Sequence, residues 1–178
     1  SMTGSTDATD VEGQIDMLLK VVPSAKTVGI FYNSSEVNSE VQADQAKQAL
    51  EAKGVKVEVA TVTSTNDVQQ TMTSLAAKVD AIYLPTDNTV ASTASTIGEI
   101  LLEAKVPAMG SDAAVIDATL FTYGVDYHAI GVQAGELAVK ILKGDKPADL
   151  PVEKPNTAAV TVNEEMATAL GFDAETIK

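Results

Sequence analysis

Residues 27–39, TVGIFYNSSEVNS, constrain the fold more than any other part of the chain. They read as a buried strand (Val28, Gly29, Ile30, Phe31), a polar turn (Asn33, Ser34, Ser35) and a helix opening at Glu36. A parallel strand that enters a helix through so short a turn presents free backbone N–H groups and the positive helix end at its carboxyl edge. That makes a ready anion site. Taken alone, the same turn is equally an ordinary helix N-cap.

The pattern recurs along the chain. Residues 55–60, VKVEVA, alternate in polarity, as expected of a half-exposed strand at a sheet edge. Residues 81–84 form a short apolar run between Asp80 and Pro85, hence a central strand; its polar turn is Thr86-Asp87-Asn88, and a helix runs on through Ile97, Ile100, Leu101 and Ala104. A fourth strand at 107–109 ends in Gly110-Ser111-Asp112, and a fifth at 120–123 ends in Gly124-Val125-Asp126. The helix after it, residues 127–143, is expected to bury Ile130, Ala134, Leu137, Ala138, Ile141 and Leu142.

Earlier helices follow the same logic. Val11, Ile15, Leu18, Leu19 and Val22 have helical spacing, opened by a Thr9–Glu12 capping box and stopped by Pro23. The helix from Glu36 to about Lys53 has a small inner face (Ala43, Ala46, Ala49, Leu50), with Gly54 as its C′ residue. Asn66 and Gln69 read as a capping pair for a helix through Val68, Met72, Leu75 and Ala76. Residues 145–156 are a proline- and charge-rich connector, residues 158–162 one more short strand, and Asn163 caps a terminal helix ended by Gly171. Strands alternating with helices imply an α/β fold: a doubly wound parallel sheet with right-handed crossovers, in the order 2-1-3-4-5.

Composition removes several function classes. The net charge of −13 on 178 residues argues against nucleic acid or an anionic membrane as partner. With no cysteine and His128 as the single histidine, neither a disulfide nor a conventional zinc site can be built. Arginine and tryptophan are also absent, so a ligand anion cannot meet a guanidinium fork. No apolar run approaches the roughly 20 residues of a membrane span. Ser1 and Met2 resemble an expression remnant.

In a doubly wound sheet, ligands bind outside the carboxyl ends of the strands. The turns there supply Asn33, Ser34, Ser35, Asn38 and Ser39; Thr86, Asp87 and Asn88; Ser111 and Asp112; and Asp126. Helix N-terminal donors with carboxylates and no basic side chain suit a ligand carrying both a carboxylate and an ammonium group, that is, a free amino acid. Asp112 or Asp87 would pair the ammonium, and Ser34, Ser35 and the backbone N–H groups after them would hold the carboxylate. Any one of these residues has the plainer role of helix cap. Tyr32, Tyr83 and Tyr123 could line an aromatic ligand, though residues in or beside strands are more often core. Ser111 lacks a nucleophile elbow, His128 has no evident serine partner, and neither a Walker loop nor G-x-G-x-x-G is present, so neither enzyme chemistry nor a cofactor is expected.

KTVGIFYNSSEVNSEVQ, DAIYLPTDNTV, the P-x-x-x-SD segment at 107–112 and YGVDYHAIGVQAGELAVKILKGDKPADLPVE together resemble the tryptophan/tyrosine-type substrate-binding proteins of bacterial ABC transporters. The resemblance implies one lobe of a periplasmic-binding-protein-like fold, an amino-acid ligand with aromatic side chains (tryptophan, tyrosine, phenylalanine) favoured, a membrane permease as partner, and an extracytoplasmic location as a periplasmic protein or lipoprotein. Ser34, Ser35, Asn38 and Ser39 match the family's carboxylate-binding turn, Asp87 and Asn88 its central polar turn, and Asp112 its ammonium partner; Ser111 lies beside the last. Tyr123 and Asp126 carry over less directly, being close to the hinge segment. By this reading residues 1–8 are tag remnant and hinge segment, 9–150 the ligand-binding lobe, and 151–178 a return strand and helix. The lobe that precedes the first hinge in the family would be absent, so binding would be weak and the C-terminal segment, unpaired, could dimerise with a second chain. Two other readings stand beside this one: a ligand-sensing module of a regulator or receptor, and an enzyme using Asp87 or Asp112 as base.

Overall fold

The first strand, β1 (Thr27–Asn33), is buried at every position from Val28 to Asn33, which requires a neighbouring strand on each side and a helical layer on each face. In the computed structural model, which describes residues 2–154 and 158–178, both requirements are met. Ser1 and the connector residues 155–157 lie outside the described residues. β1 pairs in parallel with β2 (Lys56–Val62) and with β3 (Ala81–Leu84). β4 (Ala108–Gly110) and β5 (Phe121–Val125) extend the sheet in parallel, and β6 (Ala158–Val162) follows beyond β5. The order β2-β1-β3-β4-β5-β6 contains the expected 2-1-3-4-5, with the partly exposed β2 at one edge.

The helices are α1 (Val11–Val21), α2 (Val37–Ala52), α3 (Val68–Ala76), α4 (Asn88–Ser92), α5 (Ala94–Ala104), α6 (Tyr127–Leu142), α7 (Glu164–Leu170) and α8 (Ala174–Ile177). Short 3-10 turns occupy Thr65–Asp67, Ala113–Ala118 and Pro147–Asp149. The chain forms two compact units: Asp10–Tyr123 with Val160–Lys178, and Ser1–Thr9 with Gly124–Ala159.

In the larger unit the pleat of β1 sorts its side chains onto two cores. Val28, Ile30 and Tyr32 join Ile15 and Leu18 of α1, Ala43, Ala46 and Leu50 of α2, Met166 and Ala167 of α7 and Ile177 of α8. Phe31 faces the other side, with Met72 and Leu75 of α3 and Ile97 and Leu101 of α5. Each fully buried large apolar side chain contributes about 1.5–3 kcal/mol. Gly98 of α5 lies so close to the 3-10 turn that a Cβ there would run into the Asp117 carbonyl. Gly54, at φ +77°, follows α2 in the left-handed conformation expected of a C′ residue.

Local details depart from expectation. α1 is capped by Asp10, whose Oδ1 accepts from Gly13 N at 3.0 Å. α3 starts from a 3-10 turn, and Asp67 at its N-cap makes no side-chain capping bond, so the Asn66–Gln69 pair does not open it. The helix expected to run on to Ala104 breaks at Thr93 into α4 and α5, with the Thr93 hydroxyl donating to Thr89 O at 2.7 Å. The C-terminal segment from Val160 does not stand apart: β6 continues the sheet, and α7 and α8 complete the α1–α2 core. The segment expected to be unpaired thus joins the sheet, with β6 as the last strand in its order.

In the smaller unit, Ser5 and Glu153 form a parallel bridge, with Thr6 N donating to Glu153 O and Glu153 N to Gly4 O, each at 2.9 Å. Lys140 of α6 pairs with Glu153 at 3.7 Å. α6 itself buries Leu137 and leaves Ile130 and Ile141 half-buried, while Ala134, Ala138 and Leu142 are exposed, against expectation. The described residues of this unit hold no second layer broad enough to cover the remaining faces of the helix.

Candidate functional site

The carboxyl edge of β1 runs into Asn33, whose side chain shapes the turn that follows. Its Oδ1 accepts from Ser35 N at 2.8 Å, while its Nδ2 donates to Thr89 Oγ1 at 2.8 Å. Ser34 and Ser35 are thereby left exposed, Ser34 tied to the β2 edge through its N–H to Val62 O at 3.0 Å. Glu36 takes the N-cap position of α2 without capping it. Among the described residues, no partner meets the first-turn N–H groups of Val37, Asn38 and Ser39. These open donors are the free backbone N–H groups that the sequence placed at this turn.

The Glu36 carboxylate instead crosses to α4. It accepts from Asn88 N at 3.0 Å, from Asn88 Nδ2 at 3.0 Å and from Thr89 N at 3.2 Å. Glu36 was missed in the sequence because an acidic residue at a helix start reads as support for its own helix. Here it caps the neighbouring one and holds the Asn88 side chain.

Asp87 is 3% exposed. Its Oδ1 accepts from Val90 N at 2.9 Å, capping α4, and its Oδ2 accepts from Asn33 N at 2.8 Å. Both carboxylate oxygens therefore bond backbone, which gives Asp87 a structural role at the turn. Asn38 and Ser39 likewise turn inward: Asn38 Nδ2 and Ser39 Oγ donate to Thr86 O at 2.8 and 2.9 Å. Gln42, one turn further along the same face of α2, accepts from Thr86 N at 2.8 Å. The spacing 38, 39, 42 was the available signal for this residue.

Ser111 and Asp112 lie at the end of β4. Ser111, 1% exposed, has its hydroxyl 2.9 Å from Thr86 Oγ1. Asp112 is half-buried; its Oδ1 accepts from Ala114 N at 2.7 Å, and its Oδ2 has no hydrogen-bond partner among the described residues. Tyr83 proves to be core: its hydroxyl donates to Gln14 Oε1 at 2.7 Å, and burial pushes its pKa well above the usual phenol range, with the Ser111 hydroxyl pulling the other way. Gln14, itself buried, donates through Nε2 to the carbonyl of half-buried Tyr123 at 2.7 Å. Tyr32 is also buried with the α1–α2 core. Asp126 belongs to the smaller unit, where its Oδ1 caps α6 by accepting from His128 N and Ala129 N at 2.9 and 3.2 Å.

The edge of the larger unit thus brings together Ser34, Ser35, Asn38, Ser39, Asp87, Asn88, Ser111 and Asp112. It spends the side chains of Asn38, Ser39, Asp87 and Asn88 on one another's loops. What stays open is the α2 first turn with Ser35, and one oxygen of Asp112; the exposed Ser34 hydroxyl donates to Val62 O at 3.4 Å. No group of three or more histidine, cysteine, aspartate or glutamate residues is placed to hold a metal ion among the described residues.

Residues 1–176 match the family described as ABC transporter substrate binding protein. A tyrosine-binding protein of Clostridioides difficile (strain R20291) is 30% identical over 171 residues, which are 96% of this chain and 50% of that protein. A ligand-free, open substrate-binding protein with adhesive properties from Clostridium difficile is 37% identical with a TM-score of 0.85, covering 96% of this chain and 58% of that one. An ABC domain in complex with L-Trp from Streptococcus pneumonia is 36% identical with a TM-score of 0.83, covering 98% and 62%. This chain spans about half the length of the curated relatives it matches.

Proposed function

The chain belongs to the ABC transporter substrate-binding protein family, a family of binding proteins rather than enzymes, and from that premise we propose that it binds a free amino acid, aromatic side chains favoured, for import. The observation that carries this reading is the pairing of open α2 amides with one unpaired Asp112 oxygen on an edge without a basic side chain. Ser34, Ser35 and the N–H groups of Val37 to Ser39 take the ligand's carboxylate. Asp112 takes its ammonium group. The tyrosine-binding and L-Trp-bound relatives support the ligand class. A membrane permease is the partner to which ligand is delivered, and the location is extracytoplasmic, periplasmic or lipid-anchored. Among the described residues no helix is long and apolar enough to cross a membrane.

The test is an amide NMR titration of the full chain with free amino acids at millimolar concentration. Shifts at residues 33–39 and 110–113, largest for phenylalanine, tyrosine or tryptophan, are the expected result. Absence of shifts with every amino acid would refute the reading.

A further inference from the structure

Both main-chain groups of Thr86 are held by one face of α2, through Gln42 Oε1 on its N–H and through Asn38 and Ser39 on its carbonyl. Gln42 does more than close that bond. Its Nε2 donates to Thr86 Oγ1 at 3.4 Å, and its Oε1 lies 3.5 Å from the Ser111 hydroxyl, which in turn is 2.9 Å from Thr86 Oγ1. One amide therefore joins α2 to the turn after β3 and to the turn after β4. The Ser111 hydroxyl within this triangle belongs to a residue almost wholly out of water, and the next residue is Asp112.

We propose that Gln42 is a positioning residue for ligand binding, acting through Ser111 to set where the Asp112 carboxylate stands against the Thr86 turn. The inference rests on the reading of Asp112 as the ammonium partner. Gln42 is not required to touch ligand. Without its amide, the Thr86 N–H loses its acceptor and the Ser111 hydroxyl loses the Gln42 oxygen, leaving Thr86 Oγ1 and the Tyr83 hydroxyl to fix its direction. A charge-assisted bond to an ammonium group is short and directional, so displacement of the carboxylate weakens it without affecting the carboxylate end of the ligand.

The experiment compares L-phenylalanine with 3-phenylpropanoate, which keeps the ring and the carboxylate and lacks the ammonium group. Dissociation constants are measured on the full chain by NMR titration. The wild-type protein is expected to prefer phenylalanine about tenfold, the worth of one hydrogen bond between charged groups. Gln42→Met is expected to bring that ratio close to one while the propanoate affinity stays as it was. Gln42→Glu keeps the acceptor for Thr86 N and Ser111 Oγ, and is expected to restore the preference. Ser111→Ala should reproduce Gln42→Met, and it keeps the proposal testable if the methionine variant fails to fold. A residue that serves only stability would weaken both probes together. Retention of the wild-type ratio in Gln42→Met or Ser111→Ala would overturn the proposal while leaving the proposed function standing. A wild-type protein with no preference would overturn the Asp112 assignment as well, before any variant is made.

Discussion

Replacement of Asp87 by alanine separates a structural from a ligand-binding role for the most deeply buried carboxylate at the site. The substitution removes the acceptor for two backbone donors at once, Val90 N at 2.9 Å and Asn33 N at 2.8 Å. Loss of an N-cap costs about 1 kcal/mol. The Asn33 N–H, on a residue 7% exposed, is left without a partner, at a further cost of about 2 kcal/mol. The sum, about 3 kcal/mol, divided by a urea slope of about 2 kcal/mol per molar, lowers the midpoint by about 1.5 M. Asp87→Asn keeps an acceptor for one donor and turns an NH2 toward the other, so its midpoint falls between the two. The assay is urea unfolding followed by tyrosine fluorescence and circular dichroism. A midpoint within about 0.3 M of wild type at unchanged slope would refute the argument. So would an Asp87→Asn protein of wild-type stability that had lost amino-acid binding, because that is the signature of an ammonium partner.

Two further perturbations test the scaffold. Gly98→Ala forces a methyl group into the Asp117 carbonyl, a backbone atom with no rotamer to adopt. It is expected to lower stability by about 2 kcal/mol or more in a thermal scan, and a melting temperature equal to wild type would show that α5 and the 3-10 turn can separate without cost. Asp80 accepts from the N–H groups of Lys26 and Thr27 at 2.8 and 2.9 Å, and these bonds hold its carboxyl below the usual aspartate range. Because the folded value is the lower one, the stabilisation is full above the unfolded pKa and is lost as pH falls through the folded one, in the window below about pH 4. Asp80→Asn should therefore differ from wild type in urea midpoint at neutral pH and converge with it in acid; a constant difference would refute the linkage.

Strand order was legible because burial is written into alternation. Residues 28–31 and 81–84 are apolar without interruption and sit centrally, whereas 55–60 alternate and form the edge. The break at Thr93 was not legible, since Val90, Ala94, Ile97 and Leu101 keep helical spacing straight across it and the deciding contact is a hydroxyl bonding back to Thr89. At the site, residue type pointed to polar turns that the fold does bring to one sheet edge. It could not tell a donor left open for ligand from one already used. Asn38 and Ser39 were chosen for their chemistry, yet the Thr86 carbonyl takes both, and Glu36 and Gln42 do the stapling. Partner choice between loops 44–52 residues apart in sequence is a tertiary fact, and no local pattern encodes it. The same holds for α6, whose apolar periodicity promised a covered helix and whose surroundings among the described residues do not supply the cover.

That sparse covering of α6 has a consequence for how the chain comes apart. A helix that shields little beyond Leu137 gains little from being closed, so its amides exchange with solvent through local openings of low free energy. The sheet strands of the larger unit, with Ile30, Phe31, Ile82 and Tyr83 all at 0% exposure, open only when that whole unit does. The border between the two regimes falls inside single strands, at Tyr123–Gly124 in β5 and at Ala159–Val160 in β6. The value measured for Asp87→Ala is therefore read most directly from a reporter buried in the larger unit, such as the ring of Tyr83.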